Sequence, residues 1–308
     1  MKDKKNFKEI AELWQADKRQ YVKKSTFAVY SILLVNHLIP EFGEETDVTE
    51  EMVQDFVIRK LETGLSRKTV KDILVVLLMV RRFAVKYGYM PHREIDVRFP
   101  TERERTEVEV LNKGIQRRIM TYVGDNPSYM NIGIYICLCT GLRIGEVCAL
   151  KWEDVDLAAG VIRITKTLQR IYIIDGSHRH TEIIIGTPKS PTSIRQIPIP
   201  HELKKMIRPF SKAAKAGDYV LTNSPRPTEP RTYRNYYNRL MKRLNVPKLK
   251  FHGLRHSFAT RCIESHCDYK TVSALLGHSN ISTTLNLYVH PDMEQKQRCM
   301  EQMFRSLR

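Results

Sequence analysis

Residues 250–260 read KFHGLRHSFAT and set His252 and Arg255 three positions apart on a predicted helix, so an imidazole and a guanidinium share one face. An imidazole titrates near neutral pH, and a guanidinium is a fixed cationic fork whose spacing suits phosphate oxygens. Taken singly, either residue is as readily structural: a buried histidine, or an arginine paired to a carboxylate. His256 follows Arg255 directly and is expected on a different helix face from His252.

Upstream, CTGLRIGEVCALKWEDVD (139–156) places Arg143 and Glu146 three apart at the start of a short helix. There Glu146 can fix its surroundings and Arg143 can meet a phosphate, although such a pair on its own also reads as a surface ion pair. Downstream, Asp268 reads as the N-cap of a helix that Gly277 ends, presenting His278 within LLGHSNISTTLNLYVH (275–290), and Tyr288 closes the next short helix. Alone, Tyr288 reads as a core tyrosine. Moving a DNA phosphodiester without a metal requires a nucleophile, cationic donors for the non-bridging oxygens and a proton donor for the leaving 5′-oxygen.

These segments belong to an expected domain over 108–308. It is helical to about residue 150, then carries β-branched runs, VIRITK (161–166), RIYIID (170–175), TEIIIG (181–186) and SIRQIPIP (193–200), as a small antiparallel sheet. From residue 232 it is helical again, with Tyr233, Tyr236, Leu240, Met241 and Leu244 on one stripe and helices near 253–264, 268–276 and 282–289. The tail after Tyr288 carries Met300, Met303, Phe304 and Leu307 as an apolar stripe that needs a surface to bury against.

Residues 1–90 read as an all-helical domain of four segments. The first holds Phe7, Ile10, Ala11 and Trp14. The second holds Phe27, Tyr30, Leu34 and Leu38 and is stopped by Pro40 and Gly43; the third follows Thr49 to Gly64. The fourth runs from a Ser66 cap to Gly88, with Val70, Ile73, Leu74, Leu77 and Ala84 facing a core. Arg67, Lys68, Lys71, Arg81, Arg82 and Lys86 are expected off that stripe, as a solvated face or a track for phosphates. YMPHREIDVRFPTERERTE (89–107) breaks the periodicity, and 91–107 reads as a linker.

The chain of 308 residues carries 51 Lys and Arg against 34 Asp and Glu, a net charge of +17 spread along its length, which suits a polyanion such as nucleic acid. No apolar run approaches the ~20 residues of a membrane span and the N-terminus has no secretory core, so a cytoplasmic protein with no membrane partner is expected. The six cysteines, at 137, 139, 148, 262, 267 and 299, show no zinc spacing and read as reduced core thiols. His178 and His180 in GSHRH (176–180) lack an acidic or thiol partner and read as a solvated loop tip, so no metal is expected.

TGLRIGE (140–146), FHGLRH (251–256) and LLGHSNISTTLNLYVH (275–290), in this order, resemble the tyrosine recombinase (phage integrase) family, and the helical N-terminal part is similar to that family's core-DNA-binding (SAM-like) domain. The resemblance implies a mainly α fold with a small antiparallel β-sheet in an integrase-type catalytic domain. It implies site-specific DNA recombination, integration and excision or inversion, by strand cleavage and rejoining. Arg143 and Arg255 would clamp the phosphate, His252 and His278 would hydrogen-bond it or assist proton transfer, and Tyr288 would attack to form a 3′-phosphotyrosyl link without a cofactor. The family's leaving-group lysine falls on Lys189 in TPKSPTSIRQIPIP (187–200), with Lys166 as competitor, and His256 takes a supporting role. Partners would be double-stranded DNA and three further copies in a homotetramer on paired sites, a monomer or weak oligomer without DNA, with accessory DNA-bending proteins and nucleoid association when bound. The tail would dock on the neighbouring protomer. An additional N-terminal arm-binding domain is expected to be lacking. The rival readings are a type IB topoisomerase and a DNA-binding regulator on a degenerate recombinase fold.

Overall fold

The computed structural model describes residues 4–101, 109–176, 178–188, 190–288 and 293–307. The chain divides into two compact units, Met1–Arg105 with Ile171–Glu182, and Thr106–Arg170 with Ile183–Arg308.

In the first unit, α1 (Phe7–Lys18) starts on a capping box in which Asn6 accepts from the Glu9 N–H and Glu9 from that of Asn6, each at 3.0 Å. Its stripe of Phe7, Ile10, Ala11 and Trp14 is buried. The second segment does not stop at Pro40. Helix α2 (Lys24–Leu33) widens into a π-helical turn (Leu34–Leu38) and continues as α3 (Ile39–Phe42), with Pro40 in the first turn of α3, where a missing N–H is tolerated. Thr49 caps α4 (Glu50–Glu62) and Ser66 caps α5 (Arg67–Lys86). Phe42 joins the elements, with ring centroids 6.0 Å from Phe7 and 5.2 Å from Phe56.

One expectation changes here. Arg81 does not lie off the core stripe: the steps 70, 74, 77, 81, 84 keep helical spacing, so Arg81 falls on the buried face and is 4% exposed. Residues 91–101 contain no helix or strand, yet they are docked rather than free. Ile95, Val97 and Phe99 pack against the core of this unit, the Asp96 N–H donates to Glu50, and Gln54 exchanges two hydrogen bonds with the Arg98 backbone.

The second unit is built around α7 (Tyr129–Thr140), which is apolar on most sides and packs on α6 (Lys113–Asp125), α9 (His201–Ser211), α10 (Pro230–Arg243) and α11 (His252–Glu264). α8 (Ile144–Ala149) follows α7 directly. In the sheet, β1 (Val155–Asp156), β2 (Val161–Ile164) and β5 (Arg195–Pro198) run antiparallel in the order β1-β2-β5, with Ile162 opposite Ile197. β3 (Thr167–Asp175) and β4 (His178–Gly186) form a separate two-stranded sheet, so the β-branched runs make two small sheets rather than one. His178 and His180 are exposed, but on strand β4 rather than at a loop tip. Helices α12 (Tyr269–Leu276), α13 (Ser282–Tyr288) and α14 (Met293–Ser306) complete the unit. In α10 the buried set includes Tyr237, which the expected stripe does not contain.

Among the described residues, no helix is long and apolar enough to cross a membrane and no cluster of three or more His, Cys, Asp or Glu could hold a metal ion. Cys137 and Cys148 are buried free thiols, but Cys139 and Cys262 are half-buried and Cys267 is exposed, so the cysteines are not uniformly core residues. The Cys299 side chain lies outside the described residues.

Candidate active site

The site lies within the second unit and is assembled from the ends of helices. α7 and α12 each finish on a glycine in the left-handed region, Gly141 at φ 67° and Gly277 at φ 66°, a backbone conformation that a side chain disfavours. At Gly141 space excludes a side chain as well, since a Cβ would sit 2.6 Å from the Phe258 ring; at Gly277 a Cβ would be tight, 3.0 Å from the Thr192 carbonyl. Turning left leaves carbonyls at these helix ends facing outward, at the negative pole of each helix.

Two arginines occupy those carbonyls. Arg255, 1% exposed, donates from Nη1 to the Gly141 carbonyl at 2.9 Å and from Nη2 to the Leu276 carbonyl at 2.7 Å. Arg143, at the start of α8, donates from Nη2 to the Gly277 carbonyl at 3.3 Å and from Nη1 to Glu146 Oε1 at 2.8 Å, with its side chain still about a third exposed. Burial, then the charge of Arg143, draws the Arg255 guanidinium below its ordinary pKa.

Glu146 is not half of a surface ion pair. It is 2% exposed and also accepts from the Arg143 backbone N–H at 2.9 Å and from Arg195. Burial pushes its carboxyl up, but the hydrogen bond and charge of Arg195, then those of Arg143, outweigh it and hold the group below the usual carboxylate range. Sequence reasoning missed Arg195, which also donates to the Leu275 carbonyl at 2.6 Å and the Ser193 carbonyl at 2.9 Å. A signal was available: in β5, Arg195 shares the inward face with Ile197, where a charge requires partners.

Around this pair stand three histidines. His252, at the start of α11, keeps an exposed edge; desolvation and then His256, Arg255 and Arg143 push its pKa down to about 4. His278 Nδ1 is 2.8 Å from Thr284 Oγ1, and burial followed by Arg255, Arg143, Arg195 and His252 lowers its pKa to about 4. His256 is not on a different face from His252. The two are one helical turn apart, with ring centroids 4.6 Å apart and edge to face. Tyr288, on α13, is 9% exposed, packs with Phe258, Val272 and Leu276, and brings its Oη to 2.5 Å from His256 Nδ1. Burial raises the phenol pKa to about 12, against the opposing pull of Arg255.

Lys189 lies outside the described residues. The turn that follows it is anchored here: Ser193 Oγ donates to the Gly277 carbonyl at 3.4 Å, two residues before Arg195. Lys166 is paired with Glu153, Nζ to Oε1 at 3.4 Å. The expected DNA-contacting residues are in the first unit. Lys68, Lys71, Arg82 and Lys86 are exposed on α5, although Lys71 Nζ lies 5.3 Å from the Phe99 ring centroid; Arg67 also folds onto Phe99 and donates to the Pro100 carbonyl at 2.8 Å. Arg81 is buried, with Nε and Nη2 unpartnered.

The sequence pattern described as "Phage integrase family" matches residues 109–295, and "Phage integrase, N-terminal SAM-like domain" matches residues 6–58. The chain is 29% identical to a tyrosine recombinase XerC-like protein of Caldanaerobacter subterraneus subsp. tengcongensis over 304 residues, covering 91% of this chain and 77% of that one. It is 24% identical to the ICEBs1 integrase of Bacillus subtilis over 277 residues, covering 83% and 72%. Its fold is similar to that of the Tn1549 transposon integrase solved in complex with a circular intermediate DNA: TM-score 0.77 at 23% identity, over 97% of this chain and 99% of that one.

Proposed function

The chain belongs to the phage integrase family and is a site-specific DNA recombinase, and we propose that it cuts and rejoins double-stranded DNA through Tyr288 as a 3′-phosphotyrosyl intermediate. The observation that carries this reading is the pair of guanidinia, Arg143 and Arg255, fixed on helix-terminal carbonyls in the unit that also holds the buried Tyr288 phenol. Such donors stabilise the charge that builds on the non-bridging oxygens as Tyr288 Oη attacks, and fixed dipoles need no reorganisation at that moment. His252 and His278, neutral at pH 7 by the direction of their shifts, hydrogen-bond the phosphate, and Lys189 protonates the leaving 5′-oxygen. Glu146 orients Arg143. The phosphodiester bond energy is conserved in the tyrosyl ester, so neither nucleotide nor metal is called for.

Residues 1–90 would contact the phosphates of the duplex through Lys68, Lys71, Arg82 and Lys86, and residues 108–308 would carry out the cleavage. Four copies on two sites would exchange strands in pairs. The exposed Met300, Met303, Phe304 and Leu307 of the tail support docking on a neighbouring copy. The integrase names of two proteins that the chain is similar to, the ICEBs1 integrase and the Tn1549 transposon integrase, support integration and excision of a mobile element over inversion.

The test is covalent trapping on a nicked duplex carrying the end of the DNA element that encodes the protein. A denaturant-stable adduct that vanishes with Tyr288→Phe is expected. Tight binding with no adduct from the native protein would instead support a DNA-binding regulator on a retired catalytic fold, and relaxation of arbitrary supercoiled DNA by a monomer would support a topoisomerase.

A further inference from the structure

The nucleophilic phenol must lose its proton as it attacks, and neither of the two histidines placed at the phosphate is hydrogen-bonded to Tyr288. His278 Nδ1 is engaged with Thr284, and His252 meets the ring of His256 rather than the phenol. The group that touches the reacting oxygen is His256, whose Nδ1 lies 2.5 Å from Tyr288 Oη, with the rings 5.6 Å apart and tilted by 52°.

Resting on the reading of Tyr288 as nucleophile, we propose that His256 is the catalytic base that takes the Tyr288 proton during cleavage and returns it during rejoining.

Three features support this assignment. His256 projects from the helix turn next to Arg255, so the base and one phosphate clamp share a rigid element while α13 supplies the nucleophile. The charged and titratable groups bearing on it are Arg255 and His252 from its own helix and Tyr288 from α13; burial and then Arg255 lower its pKa, which keeps the imidazole neutral at pH 7. A neutral imidazole protonated on Nε2 offers Nδ1 as acceptor, and the phenol, with its raised pKa, is the donor. In cleavage the Oη–P bond forms, P–O5′ breaks, the phenol proton moves to His256 Nδ1, and the leaving oxygen takes a proton from the acid on its own side. In rejoining the 5′-hydroxyl attacks phosphorus, its proton returns to that acid, and Oη leaves with the proton from Nδ1. The imidazolium that exists in between is disfavoured beside Arg255, which drives the return.

The test is single-turnover adduct formation on the nicked duplex between pH 5.5 and 9. The native rate should be flat from pH 7 to 9, because the base is already deprotonated there. His256→Asn and His256→Gln should be slower by about 10²-fold or more at pH 7. Their rates should climb about tenfold per pH unit towards the intrinsic value of the phenol, and added imidazole should partly restore His256→Gly. A purely structural His256 would lower the rate by one factor at every pH and give no rescue, which overturns the proposal. A native rate still climbing tenfold per unit between pH 7 and 9 overturns it without any variant. An adduct from Tyr288→Phe would instead remove the reading on which the proposal rests.

Discussion

Arg195 donates twice to Glu146, from Nη2 to Oε2 at 2.9 Å and from Nη1 to Oε1 at 3.1 Å, and both side chains are nearly closed to solvent. The carboxylate thereby ties β5 to the start of α8 and holds Arg143 from its far side.

Removing one partner of a buried ion pair strands the other charge, so Glu146→Ala should lose about 3–5 kcal/mol of stability in urea unfolding. Glu146→Gln should lose less stability but weaken adduct formation, since Arg143 loses its charged anchor. The folded-state pKa of Glu146 is depressed, so its contribution is fully present above the unfolded value of about 4.3 and disappears as pH falls through the folded one. The native protein should therefore show an acid-labile component below pH ~4 that Glu146→Gln lacks.

His252 and His278 make a second pH-dependent contribution. Both are held at about 4 against 6.5 unfolded, so between those values the unfolded chain binds protons that the native one does not. Stability should rise with pH across this window and level off above it; His278→Asn should flatten the rise in thermal melts. A phosphate entering the site reverses the local sign, so specific DNA binding at pH 5–6 should take up protons, read by calorimetry in buffers of different ionisation enthalpy. Non-specific DNA held away from the site should take up none.

On α5, Arg81 and its basic neighbours should separate cleanly. Arg81 is buried with two unpartnered donors, so Arg81→Met should leave stability unchanged or raise it by about 1 kcal/mol, and leave the salt dependence of DNA binding as it was. Lys71→Ala with Arg82→Ala should reduce the slope of log K against log salt by about 0.9 for each phosphate that is no longer neutralised. An unchanged slope would remove α5 from the DNA-binding surface.

Gly141→Ala combines a left-handed φ with a Cβ 2.6 Å from Phe258, and should lose about 2 kcal/mol or more in chemical denaturation. Because the Gly141 carbonyl seats Arg255, adduct formation should fall further than the stability loss alone accounts for.

Much of the site is legible in the sequence because its residues sit at chemically demanding positions: caps, left-handed glycines and short spacings on single helices. Asp268 as N-cap and Gly277 as helix terminator follow from such local rules, and the structure agrees with both. What escapes is tertiary. Arg195 reaches Glu146 across 49 positions of sequence, a pairing no local spacing encodes. The His256–Tyr288 contact escapes through a misjudged helix face, as does the burial of Arg81, although in both cases a separation of four residues marks the shared side. Pro40 reads as a stop because a π turn that lets the helix run on leaves no compositional mark.

Every partner named for Arg143, Arg195 and Arg255 lies before residue 282, whereas α13 meets the site through His256 and His278 alone among the hydrogen bonds of the described residues. The residues proposed to seat the phosphate and the tyrosine proposed to attack it therefore rest on separate sets of contacts. A chain ending after Gly277 would lack Tyr288 and uncover Phe258 and Val272, while every residue that anchors the three arginines would still be encoded. On the proposed role of Tyr288, such a chain would lose strand cleavage while keeping the residues proposed to hold the phosphate.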